Sequence, residues 1–276
     1  MRLVKAFLVV AAVALCCASS VFAESTYDKV MNAKVLRAGI MTDSIPGAFY
    51  NDKQEWVGFD VDIAEEIAKR LGVKLERVQV NNKTRIAFVQ QGRIDMSVAN
   101  MTHKRERDKS IDFSITYFFD GQKLLVKKDG GINSWKDVVG KKIASMQGTT
   151  SEINARNMLK ELGDKNADKN VISFQKESEC FQALQMGRVA GWTTDSTILL
   201  GYAAQAPGQF VLVGDFISDE PYGIGLPEND SKWRDTINFT LQDIWADGTY
   251  KKIYDKWYGP NTPYYFPLTA KIEMWP

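Results

Sequence analysis

Two short stretches and one carboxylate carry the side chains best suited to chemistry in this sequence. Gly148-Thr149-Thr150-Ser151-Glu152 follows an apolar run and opens an amphipathic one, and Thr149 with Glu152 has the spacing of a capping box. Amides at such a helix start have no intrahelical partner, so with the threonine hydroxyls as added donors they form a site for a small carboxylate. A plain cap uses the same residues. Ala99-Asn100-Met101-Thr102 ends a strand pattern and is followed by Arg105, Glu106 and Arg107. Loops beyond the carboxyl ends of parallel strands hold ligands in open α/β sheets, and an arginine fork matches two carboxylate oxygens. A solvated charge run has the same composition. Asp195 lies just past the strand pattern Val189 to Thr193, where it could cap the next helix or accept from a ligand ammonium group.

Catalytic patterns are missing. The sequence has no Gly-x-Ser-x-Gly elbow, no phosphate loop and no Cys-x-x-Cys, and its single histidine, His103, has no assignable partner. One histidine and three cysteines exclude a His/Cys metal cluster once the leader described next is removed, and no metal or cofactor is expected. Across 276 residues, 35 Lys+Arg face 34 Asp+Glu, so nothing in the charge balance supports binding to nucleic acid or to anionic lipid. The 45% hydrophobic content is that of a globular chain.

Residues 1–23 have a charged start, an apolar run from Ala6 to Leu15, and small residues ahead of a polar chain. These features describe a secretory signal peptide cut after Val21-Phe22-Ala23. Leu15 stands before Cys16 where a lipoprotein signal needs a small residue. Cleavage removes Cys16 and Cys17 and leaves Cys180 alone, so no intrachain disulfide is expected and buried surface must hold the fold.

The elements that position these groups alternate in type. Val35 to Ile40, Val73 to Val80 and Ile94 to Ala99 read as strands, separated by helical patterns over Asp60 to Leu71 and Thr84 to Gln91. Gly72 and Gly92 stop the two helices. The pattern restarts with strands at Lys142 to Met146, Val171 to Phe174 and Val189 to Thr193, and helices at Ser151 to Leu162 and Glu177 to Met186. Two such units define an α/β chain with two lobes, each a mostly parallel sheet flanked by helices. The helical patterns within Lys232 to Tyr258 need a sheet to cover and are expected to return to the first lobe. The chain then crosses twice, which makes a hinge. The expected boundaries are 24–118 plus 222–276 for lobe 1 and 119–221 for lobe 2, with hinges at Phe119 to Gly121 and Ser218 to Tyr222. In the tail from Asn261 to Pro276, Tyr264, Tyr265, Phe266 and Trp275 suggest packing on lobe 1, with a docking role as the alternative.

The chain resembles the extracytoplasmic solute-binding proteins of polar amino-acid ABC importers, which have the type II periplasmic-binding-protein fold. The resemblance runs from about Val35 to Gly259. It rests on Gly58-Phe59-Asp60-Val61-Asp62-Ile63, Asn100-Met101-Thr102 with Glu106-Arg107, Gln147-Gly148-Thr149-Thr150, Gly187-Arg188-Val189 with Asp195, Pro221-Tyr222-Gly223-Ile224-Gly225, and Lys256-Trp257, in that order. It implies a periplasmic, monomeric receptor that binds a free amino acid between its lobes and delivers it to a permease in the inner membrane. It makes Arg107 the fork on the ligand α-carboxylate, helped by Thr102, Thr149 and Thr150. Asp195 and the Asn100 main chain would hold the α-ammonium group.

For the ligand side chain, the resemblance implies Asp43, Phe49, Asn82, Arg85 and Glu177. Arg85 matches the basic residue of the branch that binds glutamate and aspartate, whereas Asp43 matches the position that contacts amide or cationic side chains. A pair between Arg85 and Asp43 would leave the pocket roughly neutral and favour an amide. An acidic or amide amino acid is expected, with a basic one as the alternative. Cyclohexadienyl dehydratases share the fold and motif order and supply the enzyme alternative. They have abandoned the zwitterion site, so Arg107 together with Asp195 argues for binding.

Overall fold

The computed structural model describes residues 24–276, and the leader expected over residues 1–23 lies outside the described residues. After α1 (Thr26–Ala33) come β1 (Val35–Ile40), β2 (Asp43–Ser44), β3 (Ala48–Tyr50) and β4 (Trp56–Val57). β2, β3 and β4 form a small sheet of their own. α2 (Phe59–Leu71) buries Ile63, Ala64, Ile67 and Ala68, the stripe its 3.6-residue period demands. It stops at Gly72, whose left-handed φ of 66° lets its amide reach the carbonyls of Ala68 and Lys69. β5 (Lys74–Gln79), α3 (Arg85–Gln90) and β6 (Met96–Ser97) follow, and β1 runs parallel to both β5 and β6.

β7 (Asp112–Lys127) is one strand of 16 residues. It leads to β8 (Ile143–Met146), α4 (Thr150–Glu161), α5 (Ala167–Asn170), β9 (Val171–Phe174), α6 (Glu177–Gln185), β10 (Gly191–Asp195), α7 (Ser196–Ala203) and β11 (Phe210–Val213). β12 (Asp219–Leu226) returns beside β7, and α8 (Ser231–Ala246) and α9 (Thr249–Tyr258) complete the order. The parallel sets β5-β1-β6 and β10-β8-β9 are joined through β12 and β7. These two connecting strands are antiparallel because they carry the chain in opposite directions, with Asp120 opposite Glu220 and Phe119 opposite Pro221. The crossings are therefore a ladder of backbone hydrogen bonds rather than two loose loops.

One core holds Ile63, Ile67 and Val98 together with Trp233, Ile237 and Leu241 of α8 and Tyr250, Tyr254 and Tyr258 of α9. Side chains alternate across β7 and β8 as strand geometry requires. Leu125 and Ala144 pack with Trp192 on one face, and Leu124, Val126 and Ile143 pack with Ala155 and Leu159 on the other. Beyond α9, Phe266 and Ile272 pack against the first core, and Gln242 donates to the Glu273 carbonyl at 3.0 Å. Cys180 is a free, buried thiol. Among the described residues no helix is long and apolar enough to cross a membrane, and no group of His, Cys, Asp and Glu side chains is arranged to hold a metal.

Candidate ligand-binding cleft

A cavity with about 310 Å³ of empty space, counted to its mouth, lies between the two sides of the molecule. It sits beyond the carboxyl ends of β1, β6, β8 and β10, where strand ends of open α/β sheets leave room for a ligand. Asn82, Arg85, Asn100 and Thr102 line it from the first side, and Thr149, Thr150, Glu177 and Asp195 from the second. Ser151, from the Gly148–Glu152 stretch, and Met41 share the wall, as do Ser44, Thr194 and Ile198, which carry no motif that would have marked them.

The other three expected residues stand outside the wall. Asp43 accepts the Glu177 amide at 3.0 Å through Oδ2 and the Tyr202 hydroxyl at 2.7 Å through its carbonyl, so it ties the two sides together. Arg107 is buried behind Thr102 and donates from Nη1 to the Thr102 carbonyl at 2.8 Å. The Phe49 ring sets its edge against Trp257, with centroids 6.0 Å apart.

The threonine hydroxyls correct one expectation, that they add donors for an anion. Thr149 caps α4 by accepting the Glu152 amide, and its only hydroxyl proton goes to the Met146 carbonyl at 2.8 Å. Thr102 and Thr150 both donate to Oε2 of Glu220, at 2.5 and 2.9 Å. A hydroxyl has one proton, so none of the three has another for a ligand. The anion donors that remain at this end are the first amides of α4 and the N–H groups that Arg107 does not give to the Thr102 carbonyl.

Of the two readings of Asp195, the hydrogen bonds remove the helix cap. Its side chain makes no capping bond to α7. Asp120 of β7 caps that helix instead, accepting from the amides and hydroxyls of both Ser196 and Thr197. Asp195 is left on the cavity wall, where its carboxylate accepts from Tyr222 and, at 3.2 Å, from Ser151. Burial holds its carboxyl well above the usual carboxylate range, and the nearby Glu220 and Asp120 carboxylates push it further. A cation entering the cavity would relieve both costs.

The far end combines opposite signs. The Arg85 guanidinium is buried and donates from Nη1 to the carbonyls of Ala99 and Asn100, at 2.6 and 3.1 Å. Burial, with the Arg107 charge adding to it, lowers its pKa to about 9. No ion pair joins it to Asp43 among the described residues, because the two carbonyls hold its fork and Asp43 is turned to the Glu177 amide. Glu177 is raised well above its ordinary value by burial, then by Asp43 and Asp195, with Arg85 opposing. Arg85 Nε, Glu177 Oε2, Asn100 Oδ1 and Ser44 Oγ are buried without a hydrogen-bond partner, and all four residues line this cavity. Asn100 adopts a left-handed φ of 45°, and its amide and carbonyl are engaged by Asp60 and Arg85.

A two-lobed α/β fold with a polar, enclosed cleft at the strand ends defines a binding protein for a small polar solute. The chain belongs to the bacterial extracellular solute-binding proteins, family 3, whose family profile matches residues 36–260. It is 38% identical over 224 residues to the ABC transporter glutamine-binding protein GlnH of Bacillus subtilis, 79% of each chain. It is 31% identical to the L-glutamate/L-aspartate-binding protein of Pseudomonas aeruginosa, a match covering 99% of this chain and 95% of that one. A solved ancestral arginine-binding protein bound to arginine is similar at 40% identity and a TM-score of 0.76, over 82% of this chain and 99% of that one. The matched family and these relatives are all described as binding proteins.

Proposed function

We propose that this protein is the extracytoplasmic receptor of an ABC importer for a free polar L-amino acid with an amide or acidic side chain. The observation that carries the proposal is Asp195, a buried carboxylate freed from helix capping by Asp120 and set in the same cavity as the start of α4. A carboxylate acceptor and a helix N-terminus in one small cavity match the two charges of an amino-acid zwitterion. At the far end, one unpartnered N–H on Arg85 and one unpartnered oxygen on Glu177 match an amide, which both accepts and donates. The glutamine-binding and glutamate/aspartate-binding relatives support the same class.

Lobe 1 comprises residues 24–118 plus 222–276 and lobe 2 residues 119–221. They close over the ligand, and the loaded monomer docks on a permease in the inner membrane after export to the periplasm under a leader over residues 1–23. The ligand contacts are the cavity-lining Asn82, Arg85, Asn100, Thr102, Thr149, Thr150, Glu177 and Asp195.

The test begins with protein unfolded and refolded to strip carried ligand. Thermal unfolding is then recorded with each of the twenty amino acids at millimolar concentration. A ligand at a hundred times its dissociation constant adds about 2.7 kcal/mol of stability. A rise in midpoint with glutamine, glutamate, asparagine or aspartate is expected, and no rise with any amino acid overturns the proposal.

A further inference from the structure

Glu220 lies on β12, one of the two crossing strands, and is 1% exposed. Four side-chain donors converge on its carboxylate. Oε2 takes the hydroxyls of Thr102 and Thr150, whereas Oε1 takes the Ser218 hydroxyl at 2.5 Å and the Asn154 amide at 3.4 Å. Thr102 and Thr150 line the cavity from opposite sides, and Glu220 itself is not on the wall. The carboxylate therefore stands behind the cleft and joins its two halves through hydroxyls whose protons point away from the ligand space.

We propose that Glu220 is the positioning residue of the cleft. By taking the Thr102 and Thr150 protons it turns both oxygens into acceptors facing the cavity, and by holding both it closes the cleft. Ser151, next to Thr150, donates to Asp195, so the Asp195 carboxylate belongs to the same region of the wall. Thr102 Oγ1, Thr150 Oγ1 and Asp195 then offer three acceptors, the number of protons on a primary ammonium group. Selection for the amine is in this way set by a residue that does not touch the ligand. The proposal rests on the amino-acid reading of the cleft.

The experiment compares L-glutamine with its des-amino analogue, 4-carbamoylbutanoic acid, and L-glutamate with glutaric acid, by calorimetric titration. Glu220→Gln has one carbonyl oxygen in place of two carboxylate oxygens, so at least two of the four donors lose their acceptor. The preference for the amino acid over its des-amino analogue is expected to shrink by about tenfold or more, the scale of one hydrogen bond to a charged group. A purely structural role would weaken both ligands of a pair alike, and an unchanged ratio in a folded variant overturns the proposal. Thr150→Val is the second variant and leaves Glu220 in place. It is expected to weaken the amino acid about tenfold more than the des-amino analogue, and equal weakening of the two overturns the proposal. Should the wild-type protein bind no amino acid, the function proposed above fails, and Glu220 is judged on closure alone. Small-angle scattering of the ligand-free Glu220→Gln variant is expected to give a larger radius of gyration than wild type, and an equal radius counts against the interlobe role.

Discussion

Gly201 of α7 lies so close to the carbonyl of Ile45 that a Cβ on the glycine would stand 2.1 Å from the oxygen. Ile45 follows β2 on one side of the cleft and α7 belongs to the other, so this contact sets how near the two sides come. It adjoins the Tyr202 bond to the Asp43 carbonyl. Gly201→Ala is expected to prop the cleft open. Affinity for the best ligand falls by about tenfold or more by calorimetric titration. Ligand-free stability holds or rises, since alanine is the better helix former by about 1 kcal/mol. Undiminished affinity would refute this account of closure.

Asp195→Asn removes the charge proposed to meet the ammonium group. A charge-assisted bond contributes about 1.5–3 kcal/mol, so affinity should fall on the order of 10- to 150-fold. Without ligand the variant should be at least as stable as wild type, because a carboxylate crowded by Glu220 and Asp120 is replaced by a neutral amide. Loss of affinity together with loss of ligand-free stability would point to a structural role instead.

Asp60 gives the protein a pH dependence. It is buried, it accepts from the Tyr117 hydroxyl at 2.8 Å and the Asn100 amide at 3.1 Å, and burial pushes its carboxyl up to about 7. From about pH 4 to pH 7 the folded state holds a proton that the unfolded state has released, so stability falls as pH rises through that window and levels above it. One such group contributes a slope of at most about 1.4 kcal/mol per pH unit. Asp195 and Glu177 act with the same sign, so the difference between wild type and Asp60→Asn isolates the contribution. Urea midpoints at pH 5, 6, 7 and 8 measure it, and parallel curves for the two proteins would exclude Asp60 as the source.

Asp120→Ala leaves the amides and hydroxyls of Ser196 and Thr197 without their acceptor in a buried place. The cost is expected to exceed that of a single lost cap, about 1 kcal/mol, and to reach about 3 kcal/mol in chemical denaturation. A loss below 1 kcal/mol would mean that Asp195 turns back to cap α7, and ligand affinity would then drop in parallel.

Ending the chain after residue 260 removes Phe266, Ile272 and the bond between Gln242 and Glu273 while leaving the family-matched segment whole. Buried apolar side chains of this size contribute roughly 1.5–3 kcal/mol each, so the urea midpoint should fall clearly. Ligand affinity should stay within about threefold of wild type, since no residue of the tail lines the cavity. A stable truncated protein with altered affinity would reassign the tail to the cleft.

The helices were legible in the sequence because each buries one stripe. α2 and α8 show Ile63, Ile67, Ile237 and Leu241 at helical spacing, with Gly72 marking a stop. β7 was not legible. Its residues are buried on both faces over most of their length, so the period-two alternation that announces a strand is missing, and Asp120-Gly121 resembles a break. In the cleft, the residue types at 149, 150 and 195 announced a site for opposite charges, but the direction of each hydroxyl proton depends on partners far along the chain. Thr102 and Glu220 are 118 positions apart, and nothing local to either reveals the other. That Asp195 does not cap α7 likewise depends on Asp120, 75 residues earlier by sequence number.

The continuity of β7 governs how the molecule comes apart. Its first half is a rung in the ladder with β12, and its second half carries β10 and β11. If either lobe unravels, the other loses a strand of its own sheet, the edge strand beside β12 in one case and the interior strand between β10 and β11 in the other, and exposes ladder groups that water must then satisfy. The two lobes therefore share one melting event, and a calorimeter should record a single heat-absorption peak whose van't Hoff and integrated enthalpies agree.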